Sequence, residues 1–254
     1  MKMVDIHCHL LPGIDDGPTS WEETLQMCET AAADGITHIV ATPHCNDHYR
    51  YDRKAALVLV EELARRAPKI AFSLGCDFHL SYDNIEDAKR HPEQYTIGKT
   101  KYLLVELSDY SVPSSMTTVF SHLSGLGLVP IITHPERNGL LGGRFELIEK
   151  WISVGCLVQV TAGSLTGQWG SAAKKFCEKL LKNEQVHAIA TDAHDRDHRP
   201  LVLSAARRAA AKLVGEKYAQ ALCSDIPAAI VRGEELELPR VWAKRSLKFS
   251  IQRS

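Results

Sequence analysis

The sequence has no apolar run of about 18 residues, the length a membrane-crossing helix needs, so membrane insertion is not expected. Its opening, MKMVDIHCH, carries no apolar core of signal-peptide length, and a cytoplasmic protein is expected. No charge of one sign dominates: 30 Lys and Arg stand against 31 Asp and Glu, for a net charge of −1. Without a global positive field or an aromatic-rich basic groove, nucleic acid is not an expected partner. The seven cysteines are odd in number and form no CxxC pair. That argues against a disulfide framework and against a thiolate zinc site, and fits reduced thiols. Repeats, low-complexity tracts and a convincing interdomain linker are lacking too, so the 254 residues are read as one domain, 1–254.

What the chain does have is alternation. The short apolar, β-branched runs MVDI, THIVAT, IAFSLG, YLLVEL, LVPIIT, CLVQVT and HAIAT read as strands. Between them SWEETLQMCETAAADG, RKAALVLVEELARRAP, SSMTTVFSHLSGLG, RFELIEKWISVG and SAAKKFCEKLLKN have helical period. The first helix opens on Ser20 with Glu23 three residues on, a capping-box spacing, and ends at Gly35; the second stops at Pro68. Near-continuous apolar strands alternating with helices imply a buried parallel sheet. Seven such units predict an α/β fold, a distorted, TIM-like (β/α)7 barrel, with an open doubly wound sheet as the alternative. The C-terminal third reads as two helices, LVLSAARRAAAKLVGEKYAQALC and IPAAIVRG. A basic tail follows at about 238–254, carrying Arg240, Lys244, Arg245, Lys248 and Arg253, with Leu247, Phe249 and Ile251 spaced to pack on the body.

Polar residues cluster at the strand ends. His7 and His9 follow MVDI, His44 follows THIVAT and Asp77 follows SLGC. Glu106 closes YLLVEL, His134-Pro135-Glu136-Arg137 follows LVPIIT, and Asp192-Ala193-His194 follows HAIAT. In a parallel barrel these positions share one rim, where active sites are built. Side chains at i and i+2 of a strand share a face, so His7 and His9 can address one ion while Cys8 points away. Asp15 and Asp16, after the Pro12-Gly13 turn, can fold a carboxylate over the same place.

His7, His9, Asp16, His44, Asp77, Glu106, His134, Asp192 and His194 are thus nine candidate ligands. One ion needs about four to six, so two or three clustered divalent ions are expected. Imidazole and carboxylate without thiolate suit Mn2+, Fe2+ or Zn2+ in a catalytic setting. Three such ions outweigh four carboxylates, which favours an anionic guest, a phosphate ester. Arg137 and Arg199 lie beside the ligands in sequence, and their guanidinium forks match phosphate oxygens.

The ordered motifs DIHCHLLPGIDDG, ATPH, YLLVEL, THPERN and TDAHDRDHRP, spanning most of the chain to about Pro200, resemble the PHP (polymerase and histidinol phosphatase) superfamily. They are most similar to the metal-dependent protein-tyrosine phosphatases of bacterial capsule and exopolysaccharide clusters. The resemblance implies a trinuclear, manganese-preferring centre that hydrolyses phosphotyrosine on the tail of a tyrosine autokinase controlling polysaccharide export. It assigns the same nine residues as ligands and Arg137 and Arg199 as phosphate-binding residues. The family has glutamate where this sequence has Asp77, one methylene shorter. Histidinol phosphate, another small phosphomonoester and a nucleic-acid end are the alternative substrates; a metal-storing scaffold would explain neither arginine. A thiol-based phosphatase is excluded, since no cysteine has arginine six positions later.

Of the other polar residues, Asp5 reads as a structural carboxylate. Glu136 is expected to orient a ligand or pair with a basic side chain. His48 and Arg50, in the loop after His44, could reach substrate. His38, His79, His91, His122, His187 and His198 have no motif behind them and are read as surface or hydrogen-bonded residues.

Overall fold

The computed structural model describes residues 2–236, so the basic tail at about 238–254 lies outside the described residues. Among the described residues nine strands form: β1 (Met3–Cys8), β2 (Ile36–Ala41), β3 (His44–Cys45), β4 (Ala71–Leu74), β5 (Asp77–His79), β6 (Tyr102–Glu106), β7 (Val129–Thr133), β8 (Leu157–Thr161) and β9 (Ala188–Ala190). Seven coincide with the runs read from the sequence. The other two, β3 and β5, prolong β2 and β4 after short breaks at Thr42-Pro43 and Gly75-Cys76.

All neighbours pair in parallel, in the orders β1-β2-β4 and β3-β5-β6-β7-β8-β9. The breaks are spanned by Gly75 N–H donating to Ala41 O (2.8 Å) and Asp77 N–H donating to Pro43 O (3.1 Å). At the other side β9 meets β1: His9 N–H donates to Ala193 O and Asp192 N–H donates to His7 O, both at 2.8 Å. Counting β2–β3 and β4–β5 as single interrupted strands, seven strands close a ring. This is the expected distorted (β/α)7 barrel and not the open sheet.

The helices follow local sequence chemistry. In α1 (Trp21–Asp34) Ser20 Oγ accepts from Glu23 N–H at 3.2 Å, and Gly35 ends the helix at φ 92°. The reciprocal half of the capping box falls one residue early, with Glu23 Oε2 accepting from Thr19 N–H at 2.7 Å. Asp52 caps α2 (Arg53–Arg66), which stops before Pro68. A third helix, α3 (Tyr82–Arg90), is so polar that only Ala88 is buried in it, and the sequence pattern does not announce it. Then come α4 (Met116–Gly125), α5 (Phe145–Ser153), α6 (Ala162–Thr166) and α7 (Gly170–Lys182). The stretch read as one long C-terminal helix breaks at Gly215 into α8 (Ser204–Val214) and α9 (Glu216–Gln220), before α10 (Ile226–Arg232).

Burial separates two apolar clusters. The larger packs helices against the outside of the barrel, with Trp151 edge-on to Phe120 at 5.4 Å between ring centroids. The smaller gathers Val4, Ile6, Val40, Leu104, Ile131, Leu157, Ala188 and Ala190 from the strands, with Ile230 of α10. The strand period of two continues these inward rows into ionisable or amide residues: Leu104 leads to Glu106, Leu157 to Gln159 and Ala190 to Asp192. The barrel interior is therefore an apolar floor with a polar centre above it at the carboxyl ends of the strands.

Candidate metal centre

The nine residues singled out from the sequence come together at that rim. Among the described residues their donor atoms form four overlapping groups, each within 4.8 Å: His9, Asp16, His44 and His194; His7, Asp77 and His134; His7, His9 and Asp192; and His44, Asp77 and Glu106. His7 Nε2 stands 3.3 Å from His9 Nε2 and 3.4 Å from Asp192 Oδ1. Asp16 Oδ1 lies 3.2 Å from His194 Nε2 and 3.3 Å from His44 Nε2, while His44 Nδ1 lies 3.1 Å from Asp77 Oδ2. Two donors on one ion with bonds of about 2.0–2.2 Å stand roughly 2.8–3.6 Å apart, so these separations suit shared ions.

The burial of Asp77 makes the same case independently. Its side chain is fully buried, and neither carboxylate oxygen has a hydrogen-bond partner. His44 Nδ1 is also unpartnered, within ion-pair range of Asp77 but not aligned for a hydrogen bond. An anion so placed is costly unless cations compensate it. The residues present therefore fit a cluster of divalent ions, and Asp77, although shorter than glutamate, belongs to two of the groups and is the one carboxylate that does.

Neighbouring residues aim the candidate ligands. Gln159 Oε1 accepts from His7 Nδ1 at 2.9 Å, which turns Nε2 toward the centre. Asp15 Oδ2 does the same for His9 Nδ1 at 2.8 Å, so the two adjacent aspartates divide the work, Asp15 orienting and Asp16 facing the donors. The loop carrying them turns back so tightly that a Cβ on Gly17 would lie 2.5 Å from the His9 carbonyl oxygen. Asp5, fully buried, accepts from the Thr191 amide (3.0 Å) and its hydroxyl, fastening the residue before Asp192; it is the structural carboxylate the sequence led us to expect. His134 and Asp192 both hold positive φ (31° and 52°), a strain that a rim packed with converging groups sustains.

The protein groups of the centre are electrostatically unbalanced among themselves. Burial disfavours the charged form of His7, but Asp77 and Asp192 outweigh it and raise its pKa to about 9. His44 is likewise opposed by burial and raised, through Asp16 and Asp77, to about 11. Burial and then the Asp77 charge push Glu106 up to about 8. Burial, then Arg137, pulls His134 down to about 3, already neutral as a ligand must be. Protons on His7 and His44 thus stand where cations would, and binding a metal must expel them. Metal affinity is accordingly expected to rise with pH from 6 through about 9, with proton release visible as a buffer-dependent calorimetric enthalpy. A pH-independent affinity would contradict this charge arrangement.

Arg137 and Arg199 reach the same place from different loops. Both donate to one atom, Asp192 Oδ2, the Arg199 contact being 2.6 Å. Trp169, which the sequence reading passed over, braces both: its ring centroid lies 3.9 Å from the Arg137 guanidinium carbon and 5.4 Å from that of Arg199. Tyr49 stacks on His44, with planes 15° apart and centroids at 5.8 Å; in that loop it, and not the exposed His48 or Arg50, faces the centre. Glu136 departs from expectation. It is buried and accepts from Thr161 N–H at 2.9 Å, at the entry to α6, while it feels the charge of the neighbouring Arg137 without a hydrogen bond to it. Among the remaining histidines, His38 bonds Ser73 Oγ at 2.8 Å and His187 Nδ1 accepts from Val158 N–H at 3.0 Å, so neither serves the centre.

The family described as "Capsular polysaccharide synthesis, CpsB/CapC" matches residues 3–232 of this chain. The chain belongs to the CpsB/CapC family. Within the family, the tyrosine-protein phosphatase YwqE of Bacillus subtilis is 32% identical over 198 residues, covering 76% of this chain and 78% of YwqE. A structure from a study of YwqE of Bacillus subtilis and CpsB of Streptococcus pneumoniae, described as unique metal-dependent tyrosine phosphatases, superposes with a TM-score of 0.84 at 29% identity. It covers 92% of this chain and 96% of that one. A histidinol phosphate phosphatase from Lactococcus lactis, complexed with zinc, L-histidinol and phosphate, shares the fold at 12% identity. Its TM-score is 0.59, over 89% of this chain and 98% of that one. The chain thus shares its fold with a histidinol phosphate phosphatase, as the resemblance of its motifs implies.

Proposed function

We propose that this CpsB/CapC chain is a metal-dependent protein-tyrosine phosphatase, and that its substrate is the phosphotyrosine-bearing tail of a bacterial tyrosine kinase that controls polysaccharide export. The observation that carries this is the convergence of two guanidinium groups on one oxygen at the edge of a nine-donor cluster. The likeness to metal-dependent tyrosine phosphatases supports a phosphotyrosine substrate and a divalent-metal centre, which we read as two or three ions, Mn2+ foremost. His7, His9, Asp16, His44, Asp77, Glu106, His134, Asp192 and His194 would hold them. Among the described residues no helix is long and apolar enough to cross a membrane, which is compatible with work in the cytoplasm on a kinase tail presented there. Residues 1–254 are read as one catalytic unit.

Bound divalent ions supply Lewis acidity toward phosphoryl oxygens and make a water nucleophilic near neutral pH. The protein's own residues do the rest. Arg137 and Arg199 take the equatorial oxygens of the phosphoryl group in charge-assisted hydrogen bonds and stabilise the charge that grows there. Gln159 and Asp15 keep His7 and His9 turned inward, so no ligand must reorganise during turnover. Water attacks phosphorus in line, the bond to the tyrosyl oxygen breaks, and no covalent intermediate forms; all seven cysteines are buried, so none offers a thiolate to substrate. The tyrosyl leaving group, with a solution pKa of about 10, needs only modest assistance. A cavity of about 640 Å3 opens beside Glu106, His134 and Arg137, far larger than a small phosphomonoester requires, which favours a peptide substrate over histidinol phosphate.

The test compares a phosphotyrosine peptide, histidinol phosphate and a short single-stranded DNA on the Mn2+-loaded chain. Hydrolysis of the peptide is expected to dominate, to disappear on chelation and to survive thiol alkylation. Full activity after exhaustive chelation would overturn the metal-dependent reading, and preference for the DNA would overturn the phosphotyrosine one.

A further inference from the structure

The turn between α6 and α7 is built to put one indole in one place. Gln168 N–H donates to Gly163 O at 2.8 Å, and a Cβ on Gly163 would lie 2.5 Å from Gln168 Oε1 and 3.2 Å from Trp169 Nε1, so a larger residue there would displace the Gln168 side chain and crowd the indole. Gln168 Nε2 donates to the carbonyl of His198, which ties the turn to the loop that carries Arg199. Trp169 therefore touches both arginines while its own position is fixed from a third segment. Yet it remains 38% exposed, a large apolar area for a residue so held.

That area faces two cavities. The larger, about 640 Å3, is bordered by Glu106, His134 and Arg137 of the centre and walled by Leu107, Trp169 and Phe176. The smaller, about 230 Å3, is lined by Thr191, Arg199 and Trp169 and touches none of the nine candidate ligands. The larger one is bordered by two candidate ligands, Glu106 and His134, and so directly adjoins a phosphoryl group held at the centre. Its combination of apolar wall and clustered polar end, at a size typical of ligand sites, matches a planar apolar leaving group with an anionic end.

We propose that the larger cavity is the leaving-group pocket, that it takes an aryl ring, and that Trp169 selects aryl over alkyl phosphomonoesters while holding Arg137 and Arg199 in place. This rests on the phosphotyrosine reading and gives it a discriminating residue. An aryl ring entering the pocket covers the exposed Trp169 indole against a wall completed by the buried Phe176 and Leu107, whereas a short alkyl group leaves the indole wet.

The experiment is titration calorimetry of the Mn2+-loaded full chain with phenylphosphonate and with methylphosphonate. Both are non-hydrolysable, and they differ in the group the pocket would receive. Phenylphosphonate is expected to bind at least about tenfold tighter to the unaltered protein. Ala172→Phe, at an exposed α7 position that lines the pocket but is not one of the phosphate-binding groups, should erase most of that ratio and leave methylphosphonate within about twofold. Trp169→Leu should weaken both ligands and lower the ratio; Trp169→Phe should keep the ratio. A ratio near one in the unaltered protein, or one that no variant changes, overturns the proposal. Should Trp169→Leu fail to fold, Ala172→Phe alone decides. Because the readout is binding, the expected ratio together with no hydrolysis of a phosphotyrosine peptide would retain the aryl pocket and reject the phosphatase reading.

Discussion

Asp77→Ala is expected to lower kcat on a phosphotyrosine peptide by at least about a thousandfold and to reduce the metal content of the purified protein. The reason is its place. Asp77 Oδ2 lies 3.1 Å from His44 Nδ1, 3.6 Å from His7 Nε2 and 4.0 Å from His9 Nε2, so one carboxylate joins the two sides of the cluster. Removing it takes a shared carboxylate from both groups to which it belongs. Asp77→Asn, which keeps the shape and removes the charge, should lose nearly as much. Asp77→Glu, which restores the side chain that the resembling phosphatases carry, should stay within about tenfold, since the donor is kept and only its reach changes. Elemental analysis beside steady-state kinetics checks this. An Asp77→Ala protein with full metal content and unaltered turnover would remove Asp77 from the ligand set.

The second large effect belongs to the arginines. Arg137→Ala and Arg199→Ala should each cost about a hundredfold in kcat/KM, because each removes a charge-assisted donor from the phosphoryl group in its most charged state. The double variant should lose less than the product of the two, since both act on one group and share Trp169. Lysine at either position should recover only part of the loss, for an ammonium neither forks nor lies flat against an indole as a guanidinium does. Inhibition by inorganic phosphate should weaken in parallel. Variants whose kinetics match the unaltered protein would show that these guanidinium groups merely neutralise Asp192.

The strands and the convergence of the nine candidate ligands could be read from the sequence for one shared reason. In a barrel strand the inward row is apolar below and chemical above, so a carboxylate or imidazole after Leu104 or Ala190 stands out against its own period. What could not be read depends on contacts that no period records. Trp169 sits in a glycine-bounded turn whose partners lie on two other loops. Gln159 was legible in principle as a buried amide in an apolar run, but its target, His7, lies at the far end of the chain. Glu136 sits beside Arg137 in sequence and suggested ligand support, whereas the chain turns it away toward the α6 amides. The division of β2 and β4 comes from Pro43 and from the irregular step at Gly75, which end hydrogen bonding locally without ending the strand direction. Helix α3 was missed because a helix that buries almost nothing leaves no apolar stripe to detect.

The seam between β1 and β9 carries a consequence for biosynthesis. Thr191 bonds Asp5 across 186 positions of sequence, and the backbone bonds beside it join His7 and His9 to the segment that supplies Asp192 and His194. A nascent chain still emerging from the ribosome therefore holds only part of the donor set, and no truncated product ending before that last strand can close the ring. Metal capture must wait for translation to pass residue 194, and so distant a pairing makes completion of the ring a slow folding event. Cells expressing shortened forms should accumulate protein that is inert and poor in metal, however much cation is supplied.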